Sequence, residues 1–369
     1  MRVLFANLNH SAVPGGVERW MIDAAAGLTR RGHDALLVGR PRAEAPWLQA
    51  AATRGLRVRD DHKGTWAERV LRLLAALKSE RPDVVIAKGK KAARIASWGR
   101  SLGVTRRVVF FFGLTHELKP DVWVHRHTWG RVDAGIVVAH AAARWYAEHG
   151  FGPLEKLHVL WKGVDLAPFD AARSGAGAMR ATLGLLDSEI AVGMVGRLAW
   201  QKGIDHLLEA ARRVRAERSG VRFFIAGGGG EAAQIAAAVT APDLAGTVVL
   251  LGPREDVPAL LAAMDLVVLP SRHEVMAQTT LEAMAAARAV VSTCTMGADE
   301  AIEDGVSGIL VPVGEPGTMA REVLALAADP GRRTAIGRAA RRRVEQDFTM
   351  EKMLDRCEAI LQAVVRRSG

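Results

Sequence analysis

Apolar residues along the chain fall into two alternating patterns. Short unbroken runs rich in Val, Leu, Ile and Phe read as strands buried on both faces. In the first half they are VLFANL (3–8), ALLVG (35–39), DVVIAK (83–88), RVVFFFG (107–113), GIVVA (135–139) and LHVLW (157–161). In the second half they are AVGMVG (191–196), RFFIAGG (222–228), VVLLG (248–252), LVVLPS (266–271), AVVST (289–293) and GILVP (308–312). Between them lie helical patterns such as GVERWMIDAAAGLTRRG (16–32), where Gly32 supplies a stop signal. Strand–helix alternation with six strands in each half predicts an α/β fold. It consists of two doubly wound parallel-sheet domains with right-handed crossovers.

A chain of 369 residues suits two cores better than one. The expected division is a first domain over 1–169, a small and polar linker over 170–189 and a second domain over 190–348. A last helix over 349–369 is expected to return to the first domain. Cys294 and Cys357 are too few for a disulfide framework and read as buried thiols in a reducing compartment. No signal peptide is expected, because MRVLFANLNH runs straight into a strand pattern. No apolar run approaches the roughly 18 residues that span a bilayer. The expectation is a cytoplasmic protein.

The net charge of +10 changes this picture, because it sits in one half. Residues 1–170 hold 27 Lys and Arg against 16 Asp and Glu, whereas residues 171–369 hold 23 against 24. KGKK (88–91) and TRR (105–107) lie in the basic half. An anionic partner suits it: a membrane surface, a phosphorylated lipid or nucleic acid. An arginine-rich composition with no partner produces the same excess.

Doubly wound sheets bind ligands beyond the carboxyl ends of their strands, and the chemistry-bearing residues fall there. After the first strand, Gly15 and Gly16 precede a helix, where bare backbone N–H groups favour an anion. The G-x-G-x-x-G dinucleotide fingerprint is absent. After AVGMVG, Arg197 and Lys202 flank a short loop, and two fixed cations beside a helix start suit a diphosphate. IAGGGGE (225–231) implies a close backbone approach or a flexible turn, and Arg254 in LLGPREDVPALL (250–261) offers a place for a base or ribose.

SRHEVMAQTTLEAMA (271–285) places Glu274 and Glu282 eight residues apart. On one helix that spacing rises about 12 Å and turns about 80° away. The two acids would not converge on one glycosidic bond, as a hydrolase's carboxylates must. With Glu274 in a loop and Glu282 on the following helix, they would hold different parts of one long ligand.

Taken in order, GRLAWQKGIDHLLEAA, IAGGGGE, LGPREDVPALLAAMDLVVLPSRHE, the second Glu, EAMAAARAVVST and DGVSGILVPVGEP resemble the family 4 retaining glycosyltransferases of the GT-B fold, over roughly 190–345. LHVLWKGVDLAPF and GGVERWMIDAAAGLTRRGH are similar to the family's first-domain segments. The resemblance implies two Rossmann-like domains facing across a cleft, the first on the acceptor side and the second binding a nucleotide sugar. It implies that Arg197 and Lys202 grip the donor diphosphate, that Glu274 contacts the transferred sugar and that Glu282 holds the ribose. Ala277, Gln278 and Thr279 would meet sugar and phosphate at a helix N-terminus. Gly15 and Gly16 would approach the donor, and His116 would match a sugar-contacting histidine. The family's Glu-Gly-Phe-Gly is here Glu274-Val275-Met276-Ala277, which bears on the shape of the sugar pocket.

The implied reaction moves a sugar from a nucleotide diphosphate sugar to a saccharide or lipid-linked saccharide acceptor, with retention, in an envelope glycan such as lipopolysaccharide core. The chain has no Asp-x-Asp, so metal-independent transfer with no cofactor is expected, cations and helix dipoles standing in for the metal. A peripheral site on the inner membrane face suits the basic half. Rival readings are a nucleotide-sugar epimerase of the same architecture and a basic membrane- or nucleic-acid-binding protein without catalysis. Nucleic acid is disfavoured by the single tyrosine, Tyr146, and by glutamates it leaves unexplained.

Overall fold

The computed structural model describes residues 1–9, 15–60, 64–112 and 129–366, apart from the side chain of Arg42. The chain divides into two compact units, Met1–Lys162 together with Glu351–Gly369, and Gly163–Met350.

The first unit is built on a parallel sheet of β1 (Arg2–Asn7), β2 (Asp34–Gly39), β3 (Arg57–Arg59), β4 (Val84–Lys88), β5 (Val108–Phe111), β6 (Ala134–Val137) and β7 (Leu157–Val159). The order is β3-β2-β1-β4-β5-β6-β7. Six strands were expected here and seven form. The extra one, β3, is the three-residue edge strand Arg-Val-Arg, too short and too polar to stand out as an apolar run. The central strands are buried along their length, as the unbroken apolar pattern requires.

The helix Met350–Arg366 belongs with this unit. Met353, Leu354, Cys357, Leu361 and Val364 form its buried stripe at helical spacing. Leu354 packs against Gly27 of the helix Gly16–Arg30, where any side chain would collide with it. At one end Arg31 bridges Glu351 at 2.6 Å, Asp355 at 2.8 Å and Glu358 at 3.2 Å. Burial pushes the Cys357 thiol up to about 12. Cys294, expected to be buried as well, is exposed.

The helices Trp66–Glu80 and Gly89–Ser101 pack on one another. Trp66, Leu71, Trp98 and, just beyond, Leu102 remain exposed there. Residues 84–116 contain no Asp or Glu, while Lys88, Lys90, Lys91, Arg94, Arg100, Arg106 and Arg107 fall within them. The basic excess is therefore concentrated in this stretch, although Lys88 pairs with Glu18, and Arg100 and Arg107 pair with Asp133. No described helix is long and apolar enough to cross a membrane.

The second unit carries a parallel sheet of β8 (Ile190–Val195), β9 (Val221–Ala226), β10 (Val248–Gly252), β11 (Leu266–Leu269), β12 (Ala289–Thr293) and β13 (Ile309–Val311), in the order β10-β9-β8-β11-β12-β13. Residues 170–189, read from sequence as a linker, fold as part of this unit. The short helices Ala167–Ala172 and Ala176–Thr182 form there, and Arg180 donates to the Ala263 carbonyl at 3.1 Å and to Asp265 at 3.0 Å. Most of the segment is exposed, with Leu185 its one buried residue, so these polar bonds rather than close packing tie it down.

In each sheet the strand order reverses once, between β1 and β4 and between β8 and β11. Adjacent crossovers leave in opposite directions at such a point, so a crevice opens at the carboxyl ends of the two strands.

Candidate functional site

In the second unit the reversal point brings together the loops that follow β8 and β11. The first runs through Arg197 into the tight turn Trp200–Lys202 and then the helix Ile204–Glu217. The second runs from Pro270 through Glu274 to the helix Gln278–Ala285. Lys202 Nζ donates to Glu274 Oε1, and both side chains are only 12% exposed. Two residues 72 apart in sequence thus form a nearly buried ion pair at the sheet's switch point. Arg197, exposed beside it, has no hydrogen-bond or ion-pair partner among the described residues.

The glycine run after β9 explains how the first loop is held. Gly227 and Gly229 have φ of +153° and +157°. A Cβ on either would collide with the carbonyl oxygens of Gly196 and Leu198. Leu198 N donates to Gly228 O at 2.9 Å, and Glu231 N donates back to Leu198 O at 3.1 Å. The close approach that these glycines permit is therefore to the loop carrying Arg197 and Lys202. Only glycine accepts both the dihedral and the contact.

No side chain caps the helix Gln278–Ala285, whose N-cap is Ala277 with φ −71° and ψ 128°. An uncapped N-terminus keeps its orphan donors and the positive end of its dipole for an anion. Gln278 Nε2 donates to the Gly163 carbonyl at 3.2 Å, so the amide is anchored rather than free. Thr279 is buried and Glu282 half-buried on the same helix. Val275 and Met276 are buried beneath the loop, and neither they nor Ala277 has a positive φ. The segment 275–277 has an ordinary backbone, and two of its apolar side chains are turned inward. The space left under it, about 10 Å³, is lined by Ser271, Glu274, Thr280 and Gly297 among others. It is too small for a sugar.

Arg254 lies apart from this cluster. It follows β10, the edge strand, and its guanidinium grips Asp256 twice, at 2.7 Å and 2.5 Å. That hydrogen bonding holds the Asp256 carboxyl below its usual range.

In the first unit the reversal point lies between β1 and β4, and it holds residues that the sequence pattern did not single out. Glu18, on the first turn of the helix Gly16–Arg30, is 3% exposed. Its carboxylate accepts from Lys88 Nζ at the end of β4, from Asn7 Nδ2 at 3.2 Å and from Gly15 N at 3.0 Å. Burial alone would push this carboxyl up; the Lys88 charge and hydrogen bond, with Asn7, outweigh it and hold the pKa below the ordinary value. Gly15 and Gly16 start this helix, and the buried Lys162 stands beside Gly16. A glutamate three residues past a helix start was the available signal. Its partner across the sheet was not visible without the strand order. His116 lies outside the described residues.

Two family models match the chain. One, described as Glycosyl transferases group 1, covers residues 189–329, and one, described as Glycosyltransferase Family 4, covers residues 14–168. The alpha-D-kanosaminyltransferase of Streptomyces kanamyceticus is 30% identical over 211 residues, 56% of this chain and 54% of that protein. The lipopolysaccharide core biosynthesis glycosyltransferase LpsE of Rhizobium meliloti (strain 1021) is 24% identical over 352 residues, 94% of this chain and 95% of that protein. The chain spans about half the length of the first curated relatives it matches. Among solved structures, HepE of Anabaena in complex with UDP has a TM-score of 0.85 and 23% identity, covering 98% of this chain and 100% of that one. That likeness is one of fold: the chain has the GT-B architecture.

Proposed function

The chain belongs to the group 1 glycosyl transferases of family 4, and from that premise we propose that it moves a sugar, with retention, from a nucleotide diphosphate sugar to a saccharide acceptor. The Lys202–Glu274 pair at the second unit's switch point, beside an uncapped helix, carries this reading. Without a ligand the two charges neutralise one another. A bound donor offers each a better partner: its diphosphate takes Lys202, with Arg197, and its sugar hydroxyls take Glu274. The leaving phosphate gains negative charge as the glycosidic bond breaks, which Lys202, Arg197 and the helix N-terminus at Ala277, Gln278 and Thr279 would stabilise. In this scheme no metal is required, and the departing phosphate accepts the acceptor's proton. Glu282 is assigned to the ribose, Arg254 to the outer part of the nucleotide, and Gly15, Gly16 and His116 to the approach from the first unit.

A uridine nucleotide is the first donor to try, because HepE was solved with UDP and with UDP-glucose. The likeness to LpsE supports an envelope-glycan acceptor such as a lipopolysaccharide core saccharide. A lipid-linked acceptor would bring the basic stretch of the first unit, with its exposed Trp and Leu side chains, to the inner membrane surface, with the protein itself cytoplasmic. Cationic side chains around exposed Trp and Leu suit an anionic interface. Thermal-shift screening against UDP-, GDP-, ADP- and CMP-sugars, followed by product analysis with and without a saccharide acceptor, tests the transfer. If the donor alone yields an epimerised sugar, the protein is an epimerase and the transfer reading fails. Flotation with anionic vesicles at low and high salt tests the membrane step; no binding at either removes it.

A further inference from the structure

Trp200 is the most exposed tryptophan among the described residues, at 56%. A single exposed apolar side chain needs no partner, but an indole also offers a flat apolar face with a polar edge. It is not a loose side chain. The Arg272 guanidinium lies 5.1 Å from the centre of its ring. Arg272 is itself fixed, donating to Asp205 at 2.7 Å and 2.5 Å and to the Trp200 carbonyl at 2.9 Å, with His206 Nε2 at 3.0 Å. The Arg272 hydrogen bonds hold the Asp205 carboxyl below its usual range, which favours the ionic form of the clamp. The Arg272 and His273 backbone N–H groups both donate to the Gln201 carbonyl, at 2.8 Å and 3.4 Å. The exposed His273 ring sits 5.5 Å from Trp200, tilted by 39°. The turn after β8 and the loop after β11 are therefore fastened together. An indole and an imidazole stand at the seam, each within two residues of the Lys202–Glu274 pair.

We propose that Trp200, flanked by His273, is a stacking platform for the pyranose whose hydroxyls Glu274 takes, and that it restricts which sugars are accepted. The proposal rests on the sugar-transfer reading above. A pyranose has a rim of hydroxyls and at least one face rich in C–H groups. A carboxylate satisfies the first and a flat aromatic ring the second. The hydroxyl contacts of one glutamate tolerate several sugars. The ring does not: an axial hydroxyl on the stacked face would lose water against the indole and gain no partner. The clamp on Arg272 gives the ring a fixed orientation before any ligand arrives, which reduces the ordering cost of binding.

Isothermal titration of wild type, Trp200→Ala, Trp200→Phe and His273→Ala tests this. The probes are UDP, GDP and ADP, their glucose and mannose conjugates, and UDP-galactose. The expected result is that Trp200→Ala binds the free diphosphate like wild type and loses about tenfold in affinity for the matching nucleotide sugar. Trp200→Phe recovers most of that loss. His273→Ala, which leaves the backbone bonds of the seam in place, loses about threefold for the nucleotide sugar only. Unchanged nucleotide-sugar binding by Trp200→Ala overturns the platform while the transfer reading stands. An equal loss for diphosphate and nucleotide sugar overturns it too, because the ring would then only brace the Lys202 turn. A wild-type protein that binds none of these probes sinks the transfer reading and the platform with it.

Discussion

Each unit places a lysine and a glutamate in contact at the point where its strand order reverses, and the two pairs differ in what else surrounds them. Glu18 is engaged on every side, by Lys88, Asn7 and the Gly15 N–H, and is almost wholly buried. Glu274 has Lys202 as its one side-chain partner among the described residues, with an unpaired arginine and an uncapped helix beside it. The first pair is a clamp that sets the glycine turn before the helix Gly16–Arg30. Under the proposed function, the second would be a latch whose halves are balanced against each other until a donor divides them. The two pairs occupy equivalent points of the two sheets with lysine and glutamate exchanged, and it is the surrounding donors and acceptors that set them apart.

Breaking each pair separately should make the contrast measurable. Lys202→Ala is expected to lose about 2–4 kcal/mol of transition-state stabilisation, read as a fall in kcat/KM of about 30- to 1000-fold. A wild-type rate with unchanged donor affinity would show that the latch is not functional. Gly229→Ala should cost about 2 kcal/mol or more, since it forces a strained dihedral and a backbone collision together; urea denaturation reads this, and donor affinity should fall with it because the Lys202 loop shifts.

Glu18→Gln should act the other way round from Lys202→Ala, costing about 2 kcal/mol of stability while nucleotide binding by the folded protein stays near wild type. The Glu18 carboxyl has a folded pKa below its unfolded value of 4.5. Its contribution is therefore complete above that value and is lost as pH falls through the lower, folded pKa. Denaturation curves from pH 6 down to about pH 3 should fall less steeply for Glu18→Gln than for wild type; identical slopes would remove Glu18 as an acid-sensitive clamp. The smallest effect is expected from Gln278→Ala, about 1 kcal/mol from the lost bond to the Gly163 carbonyl, again by urea denaturation.

Much of this contrast was visible in the chain itself. Strands buried on both faces leave unbroken apolar runs, and twelve of the thirteen strands stand out that way. The exception, Arg57–Arg59, is stabilised by its place at the sheet edge rather than by its own residues. Glu274, Lys202 and the helix start at Gln278 were legible because each follows a strand closely. The Glu18–Lys88 pair was not, because it depends on β4 lying beside β1, a long-range fact that no local pattern carries. The glycines at 227–230 were legible as a close approach and misleading as to what approaches. Small residues at 170–189 suggested looseness where Arg180 in fact ties them down.

The first unit is closed by a helix from the far end of the chain, docked through Leu354 on Gly27 and Arg31 on three acids. A ribosome therefore finishes the second unit, Gly163–Met350, before it has made the last piece of the first. During synthesis the groove that will take Leu354, Cys357 and Leu361 waits uncovered through some 190 codons. Of the two units, the one begun first is thus completed only after the residues of the other have been made.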